Sequence, residues 1–442
     1  MHFFMEYIGR MKRKAYEQLL KWKVNPARKP LLIRGARQVG KTWLLKEFGQ
    51  QEYSELHYFN FEEDATLSSL FAGRLTPGEI IRKLSLYSGK SLTPESGLIV
   101  FDEVQLCDRA LNSLKYFAEE APEYHLVAAG SLLGIRLADS TSFPVGKIQF
   151  LDLCPFSFME FLRATGETRY ADLLDEHPLN EALPEPFHNH LIDRLRSYYY
   201  TGGMPEAVAA FAAKSPPTSI REIQRAILDG YELDFIKHSG KLDAAKISLI
   251  WQSVPRHLAN ENHKFVFSAL RKGARARNYE ESLKWLESAG LILRCPCVHH
   301  PESPLSARTS PSIFKIYACD VGLLGAMAGI EPRMMVQGDA LFTAYTGSLV
   351  ENFVAQHLSA HKPLAYWKRE NNLAEIDFLL ERDGIIPVEI KAGINPKSKS
   401  MRSYQSSYTP SSAYRLSLLN FREEETLTNL PLYAVHRLLQ EQ

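Results

Sequence analysis

Residues 35–42 read Gly-Ala-Arg-Gln-Val-Gly-Lys-Thr. The apolar run Leu31-Leu32-Ile33 leads into them, and Trp43-Leu44-Leu45-Lys46-Glu47-Phe48 follows with helical spacing. This pattern constrains the chain to a strand, a tight loop and a helix in that order. Gly35 and Gly40 let backbone N–H groups curl around phosphate oxygens, while the helix turns the positive end of its dipole toward them. Lys41 reaches the terminal phosphates, and the Thr42 hydroxyl suits a magnesium ion holding the same phosphates. Ala36, Arg37, Gln38, Val39 and Trp43 complete the predicted lining. No Asn-Lys-x-Asp sequence is present to select guanine, so the expected cofactors are ATP and Mg2+.

At 442 residues the chain exceeds what one core usually supports, and roughly two to four domains are expected. Apolar residues make up 45% and charged residues 23%, as in folded globular proteins. A net charge of +1 gives no global attraction to nucleic acid or membrane, so any nucleic-acid contact must come from local patches. The first ten residues include Glu6 and lack a secretory core. The longest apolar stretch, Leu126 to Ile135, is about half a membrane span. Five cysteines scattered from Cys107 to Cys319 suit a reducing compartment, and a cytoplasmic protein without a membrane segment is expected. Cys295, Cys297, His299 and His300 cluster in sequence, but an alternating strand splits them between faces and no second ligand pair has zinc spacing.

Leu98-Ile99-Val100-Phe101-Asp102-Glu103 reads as a strand buried on both faces that ends in two carboxylates. Strand ends are where parallel sheets place ligands. Asp102 is predicted to hold magnesium and Glu103 to act as general base toward the attacking water. A further strand, His125 to Ala129, ends at Gly130-Ser131. Ser131 is either a sensor of the terminal phosphate or a helix cap. Arg136 is either an arginine finger, in cis or toward a neighbouring subunit, or a solvated side chain, and Arg37 ranks level with it.

The run Leu32 to Thr42, the tip Phe101-Asp102-Glu103-Val104-Gln105, and Phe143-Pro144-Val145-Gly146 followed by Leu153-Cys154-Pro155-Phe156-Ser157-Phe158 resemble the prokaryotic AAA-type ATPases that carry a C-terminal DUF4143 region. Tyr200-Thr201-Gly202-Gly203-Met204-Pro205-Glu206, Lys272-Gly273-Ala274-Arg275, Asp320-Val321-Gly322-Leu323-Leu324 and Gly347-Ser348-Leu349-Val350-Glu351 continue the likeness. It covers nearly the whole chain and implies architecture and ATP binding more than a biological role.

From Glu160 to about Gly240 the composition is helical, which suits a lid or connector. The Gly202-Gly203-Met204-Pro205 turn is either a hinge or a plain tight turn. Residues 243–298 read as three helices and a strand, with Ser268 capping the second helix. A returning strand at Ile313 to Tyr317 would complete a winged helix. Its third helix presents Glu280, Glu281, Lys284 and Glu287, a face that phosphates repel. Packing is therefore the stronger expectation there, while Lys272, Arg275 and Arg277 form a basic step able to touch backbone phosphates.

Residues 347–391 hold a second chemical signal and resemble the PD-(D/E)xK nuclease core. The resemblance assigns Asp377 and Glu389 to metal, Lys391 to the catalytic lysine, and Glu351 to an accessory carboxylate on a helix. Hairpin geometry bears on this independently. A three-residue Arg382-Asp383-Gly384 loop, with Gly384 left-handed, pairs Glu381 with Ile385 and sets Asp377 opposite Glu389. A two-residue turn would separate the carboxylates onto opposite faces. The alternative is a charged hairpin face with a Glu375–Lys391 ion pair. Tyr366, Trp367, Lys368 and Arg369, with Lys397, Lys399 and Arg402, either offer aromatic and basic contacts to a strand or form a mixed solvated surface with one buried tryptophan.

The expected fold is a multidomain α/β chain. It comprises a P-loop parallel sheet over 1-160, a helical connector over 161-242, a winged helix over 243-335 and a nuclease-like α/β domain over 336-442. The expected function is an ATP-driven action on nucleic acid, DNA favoured, with a homo-oligomer possible. The rival is a nucleotide-dependent switch or scaffold whose C-terminal domain binds a partner without cutting.

Overall fold

The computed structural model describes residues 13–131, 133, 146–239, 241–260, 263–331, 340–370, 374–392 and 398–440. The chain forms two compact units: one runs to Cys154 and includes Ser288–Gly290, and the other takes Pro155–Glu287 with Leu291 onward.

The first unit is built on short, apolar, fully buried strands, which belong in a parallel sheet covered on both faces. β1 (Leu31–Arg34), β2 (Glu55–Asn60), β3 (Gly97–Asp102), β4 (His125–Ala129) and β5 (Gln149–Asp152) lie in the order β2-β3-β4-β1-β5, all parallel. Every residue of β3 and β4 is buried. α1 (Lys14–Val24) precedes the sheet; α2 (Lys41–Glu52), α3 (Pro77–Ser88) and α4 (Asp108–Glu120) connect its strands. An aromatic group of Phe59, Phe61, Phe71 and Phe101, mostly in edge-to-face contacts, packs one face of the sheet. The strand order separates β1, which feeds the phosphate loop, from the acidic strand β3, with β4 between them. The tip of β4 is thereby placed at the centre of the site.

The second unit starts with helices: α5 (Phe158–Ala164), α6 (Thr168–Glu176), α7 (Glu185–Thr201), α8 (Pro205–Ala212), α9 (Pro217–Ser239) and α10 (Lys241–Ala259). Ser157 and Glu160 form a capping box on α5. Two motifs far apart in sequence meet in this unit. The Asp320 carboxylate accepts from Gly203 N at 2.6 Å and from Leu323 N at 2.9 Å, capping α12 (Val321–Met327). A Cβ on Gly202 would collide with the same carboxylate, and one on Gly203 with the Phe156 carbonyl. Both glycines are thus required by close packing, and the Gly202-Gly203 turn is a tight, packed turn. Gln356, from α13 (Ala340–Ser359), donates to Tyr198 Oη at 2.9 Å and accepts from Val321 N at 3.0 Å. Helices α7, α12 and α13 are locked together at that point.

The winged-helix expectation meets a different arrangement. Ser268 caps no helix: Phe267–Ala269 is a single 3₁₀ turn whose first flanking residue is Val266. After α11 (Glu280–Ser288), β6 (Ile292–Val298) and β7 (Thr309–Ala318) do form an antiparallel pair. However, β6 also pairs in parallel with β8 (Tyr366–Lys368), which pairs with β9 (Glu375–Ile376). The sheet order is β7-β6-β8-β9, so the hairpin drawn as a wing is half of a sheet completed by residues beyond 336. Glu280 and Glu287 are drawn to Arg294 on β6, at 3.1 and 3.8 Å. These two carboxylates of α11 are thus turned to the hairpin, while Glu281 and Lys284 stay exposed.

A third sheet, β10-β11-β12-β14-β13, is formed by β10 (Phe378–Glu381), β11 (Ile385–Ile390), β12 (Tyr414–Ser417), β13 (Arg422–Glu424) and β14 (Leu427–Pro431). The strand expected over Ile376 to Leu380 breaks at Asp377, where the chain leaves one sheet for the other. Among the described residues no helix is long and apolar enough to cross a membrane.

Candidate active site

The phosphate loop has the backbone that its sequence requires. Gly35 has φ 151° and Gly40 φ 94°, both unfavourable for a side-chain-bearing residue, and Gln38 takes φ 66°. Gly40 caps α2 without any side-chain bond, which leaves the first N–H groups of the helix for an anion. Lys41 is buried, and its ammonium donates to the carbonyls of Gly35 at 2.9 Å and Ala36 at 2.8 Å. Desolvation by burial lowers its pKa to about 8, against the raising effect of Glu103 and Asp102. An ammonium held at a destabilising site by loop carbonyls is suited to exchange them for phosphate oxygens. Arg13 anchors the loop from beneath by donating to the Val39 carbonyl at 3.1 Å.

Thr42 Oγ1 donates to Asp102 Oδ2 at 2.7 Å, and Tyr58 Oη donates to the same oxygen at 2.6 Å. The hydroxyl and the carboxylate expected to share a magnesium ion are therefore in contact with each other.

Glu103 stands at the turn after β3 in a left-handed conformation, φ 51° and ψ 41°, which costs about 1 kcal/mol or more for a residue with a side chain. Its carboxylate is fixed on one side: Oε2 accepts from Gln105 Nε2 at 2.5 Å and from the Ser131 hydroxyl at 3.2 Å. Gln105 packs so closely on Gly130 that a Cβ there would collide with its amide oxygen. Ser131, expected either to sense phosphate or to cap a helix, is seen positioning Glu103. Trp43 lies half-buried in the first turn of α2. Arg37 approaches Glu62 at 3.8 Å, both partly exposed. Arg136 lies outside the described residues.

In the C-terminal hairpin the register is the one the three-residue loop predicts. Glu381 pairs with Ile385 and Phe378 with Val388, and the ladder ends there, one position short of Asp377 and Glu389. The loop itself differs, because Gly384 is not left-handed; Arg382 N donates to the Gly384 carbonyl at 2.9 Å and closes the turn without a glycine conformation. Asp377 Oδ2 accepts from Ile390 N at 2.7 Å. Lys391 Nζ lies 2.8 Å from Glu389 Oε1, while the other oxygen of the buried Glu389 has no hydrogen-bond partner.

Glu351 does not stand ready as a third metal ligand. Its Oε1 accepts from Lys315 Nζ at 2.8 Å and Tyr317 Oη at 2.5 Å, and its Oε2 bonds His263. Lys315, buried, also reaches Glu375 Oε1 at 2.8 Å. Lys368 takes the other Glu375 oxygen at 3.2 Å, so the expected Glu375–Lys391 pair is not formed. Burial and the Glu351 charge push Asp377 up to about 7, and Lys315 holds Glu351 well below the usual carboxylate range. Among the described residues no three His, Cys, Asp or Glu side chains gather as a metal site. Glu351 is thus engaged by Lys315, Tyr317 and His263 rather than standing as the free accessory carboxylate expected. Lys315, 36 residues earlier on β7, has taken Glu351.

The aromatic contacts expected of Tyr366 and Trp367 are also corrected, since both rings are fully buried. The Trp367 indole N–H donates to the His299 carbonyl at 3.0 Å. Lys397 lies outside the described residues.

Three family models match consecutive parts of the chain. Residues 27–162 match the AAA domain. This region is a P-loop ATPase domain, and the phosphate loop, Asp102 and Glu103 all fall inside it. A domain of unknown function, DUF8612, matches 192–334, and another, DUF4143, matches 346–434. No curated protein matches the chain. Among solved structures, the ORC1 protein of Aeropyrum pernix in complex with DNA is 13% identical, covering 72% of this chain and 93% of its own, at a TM-score of 0.31. The Thermotoga maritima RuvB Holliday junction branch migration motor is 16% identical over 65% and 90%, at 0.29. C. elegans PCH-2 is 15% identical over 51% and 67%, at 0.28. Likenesses this loose transfer nothing to this chain beyond themselves.

Sequence reasoning missed Tyr58 and Gln105 in the AAA domain and Arg13 just ahead of it. Gln105 stood inside the Phe101–Gln105 run, but a glutamine two residues after an acidic pair has no distinctive spacing. Tyr58 and Arg13 lie outside the motifs and reach the site only through the sheet and α1.

Proposed function

We propose that this chain is a nucleotide-dependent switch acting on nucleic acid, which hydrolyses ATP in its AAA domain and holds a strand with its second unit without cutting it. Thr42 and Asp102 would hold Mg2+, which when bound neutralises charge on the phosphates. Lys41 would release the Gly35 and Ala36 carbonyls and bind phosphate oxygens. Glu103, aligned by Gln105 and Ser131, takes the proton from the attacking water. With Arg37 beside Glu62, the proposal looks to Arg136 or to a neighbouring copy for any arginine finger.

The observation that carries the non-cutting half is the Lys315–Glu351 pair. An internal ammonium already neutralises the accessory carboxylate that a metal centre here would draw on. A second reading, a metal-dependent nuclease, is favoured by Asp377, whose carboxylate feels the Glu389 charge and accepts from Ile390 N, with Lys391 on Glu389.

The test incubates the protein with plasmid DNA, linear DNA and RNA in Mg2+ or Mn2+, with and without ATP. Asp377→Ala and Lys41→Ala are run in parallel. The proposal expects ATP turnover lost in Lys41→Ala and no cleavage of any substrate. Cleavage by the wild type that disappears in Asp377→Ala would establish the nuclease reading instead.

A further inference from the structure

Between α10 and α11 the chain runs through residues 267–278 as a series of tight turns. Ala269 N bonds the Val266 carbonyl, Ala274 N that of Arg271, and Asn278 N that of Arg275. Aromatic contacts tether the segment at both ends: Phe267 packs on Phe265 and Phe314, and Tyr279, which follows the last turn, is buried. Gly273, at φ 80°, has open space around it.

What this segment presents is charge. Arg271, Lys272, Arg275 and Arg277 are all exposed, and no carboxylate lies between them in sequence. None of the four makes an ion pair or a side-chain hydrogen bond among the described residues. Elsewhere in this unit cations are commonly paired, as Arg294 is with Glu280 and Lys315 with Glu351.

Arg271, Lys272 and Arg277 line a cleft of about 700 Å³, whose far wall is Asp243, Lys246 and Leu249 on α10. Asp243 and Lys246 pair with each other at 3.3 Å. Three cations then face one remaining carboxylate, Glu281. A concave wall of unpaired cations focuses its field on an anion, and the volume is that of a small-ligand site. Arg275 stands on the same segment outside the cleft lining, so the positive strip continues past the cleft. A single phosphate would not use it, whereas a polyanion would.

We propose that this cleft and strip bind the phosphodiester backbone of a nucleic-acid strand, with Arg271, Lys272 and Arg277 as the phosphate contacts. The proposal rests on the nucleic-acid reading above and says where the strand lies. It predicts backbone contact without base selection, because guanidinium and ammonium groups of this kind neutralise phosphates and carry no sequence information by themselves.

The experiment measures fluorescence anisotropy of labelled single-stranded and duplex oligonucleotides against salt, for the wild type and for the triple variant Arg271→Gln, Lys272→Gln, Arg277→Gln. ATP turnover without nucleic acid is measured for both. All three positions are exposed, so turnover is expected to be unchanged. Binding is expected to weaken by about tenfold or more. The slope of log affinity against log salt should fall by about two for a single strand, about 0.7 for each lost contact. Wild-type binding that the triple variant reproduces, with the same slope, would overturn this site and leave the nucleic-acid reading standing. Absence of binding by the wild type itself would overturn both.

Discussion

Lys315 Nζ stands 2.8 Å from Glu351 Oε1, with both side chains buried. The pair fills the corner of the C-terminal region where the sequence suggested a metal. Removing one member of a buried pair usually costs about 3–5 kcal/mol, because the other charge is left uncompensated.

Lys315→Met should therefore lower the stability of this unit by about that amount, as thermal or urea unfolding would measure. Adding Glu351→Gln to the same variant should recover part of the loss by removing the stranded carboxylate. A Lys315→Met protein as stable as the wild type would mean that the ammonium does not organise this corner.

Gly130 and Gln105 make a separate prediction in the AAA domain. Gly130→Ala would push the Gln105 amide away from Glu103, and Gln105→Ala would remove it outright. Both should reduce ATP turnover by roughly tenfold to a hundredfold through a poorly oriented base, with nucleotide affinity little changed. Steady-state kinetics beside equilibrium binding would check the split, and a loss confined to affinity would contradict it.

Asp320 makes a prediction about pH. Burial raises its pKa to about 6 from an ordinary 3.8, in spite of the backbone N–H groups of Gly203 and Leu323. The folded state thus holds a proton that the unfolded state has released between about pH 4 and 6. The stabilisation is full below that window and is lost as pH rises through 6. Relative to Asp320→Asn, the wild type should gain about 1 kcal/mol on going from pH 7 to pH 5, or roughly 2 °C in melting temperature. A difference between the two proteins that does not change with pH would place the pKa elsewhere.

The AAA domain could be read from the sequence because its chemistry is local. Gly35, Gly40, Lys41 and Thr42 are contiguous, and the strands that carry Asp102 and Ser131 are unbroken apolar runs. The C-terminal register could be read for a similar reason: loop length alone pairs Glu381 with Ile385 and carries the ladder to Phe378 and Val388. The contacts that decide chemistry there were not local. Lys315 lies on a strand whose pattern says only that it is half-buried, and nothing in its neighbourhood points to Glu351, 36 residues on. Likewise, the β6–β7 hairpin has a complete turn-and-strand signature by itself. Its pairing with β8 depends on a parallel partner that periodicity does not identify. The Asp320–Gly203 contact, 117 residues apart, explains two motifs whose meaning was hidden while each was read alone.

The central claim is that ATP is turned over by Glu103, held in a strained turn by Gln105 and Ser131. The most direct measurement is phosphate release at saturating ATP and Mg2+ by the wild type and by Glu103→Gln, with nucleotide binding followed in the same samples. A loss of about a hundredfold or more in turnover, with ATP still bound, is the predicted result. Turnover by Glu103→Gln within a few-fold of the wild type would contradict the account.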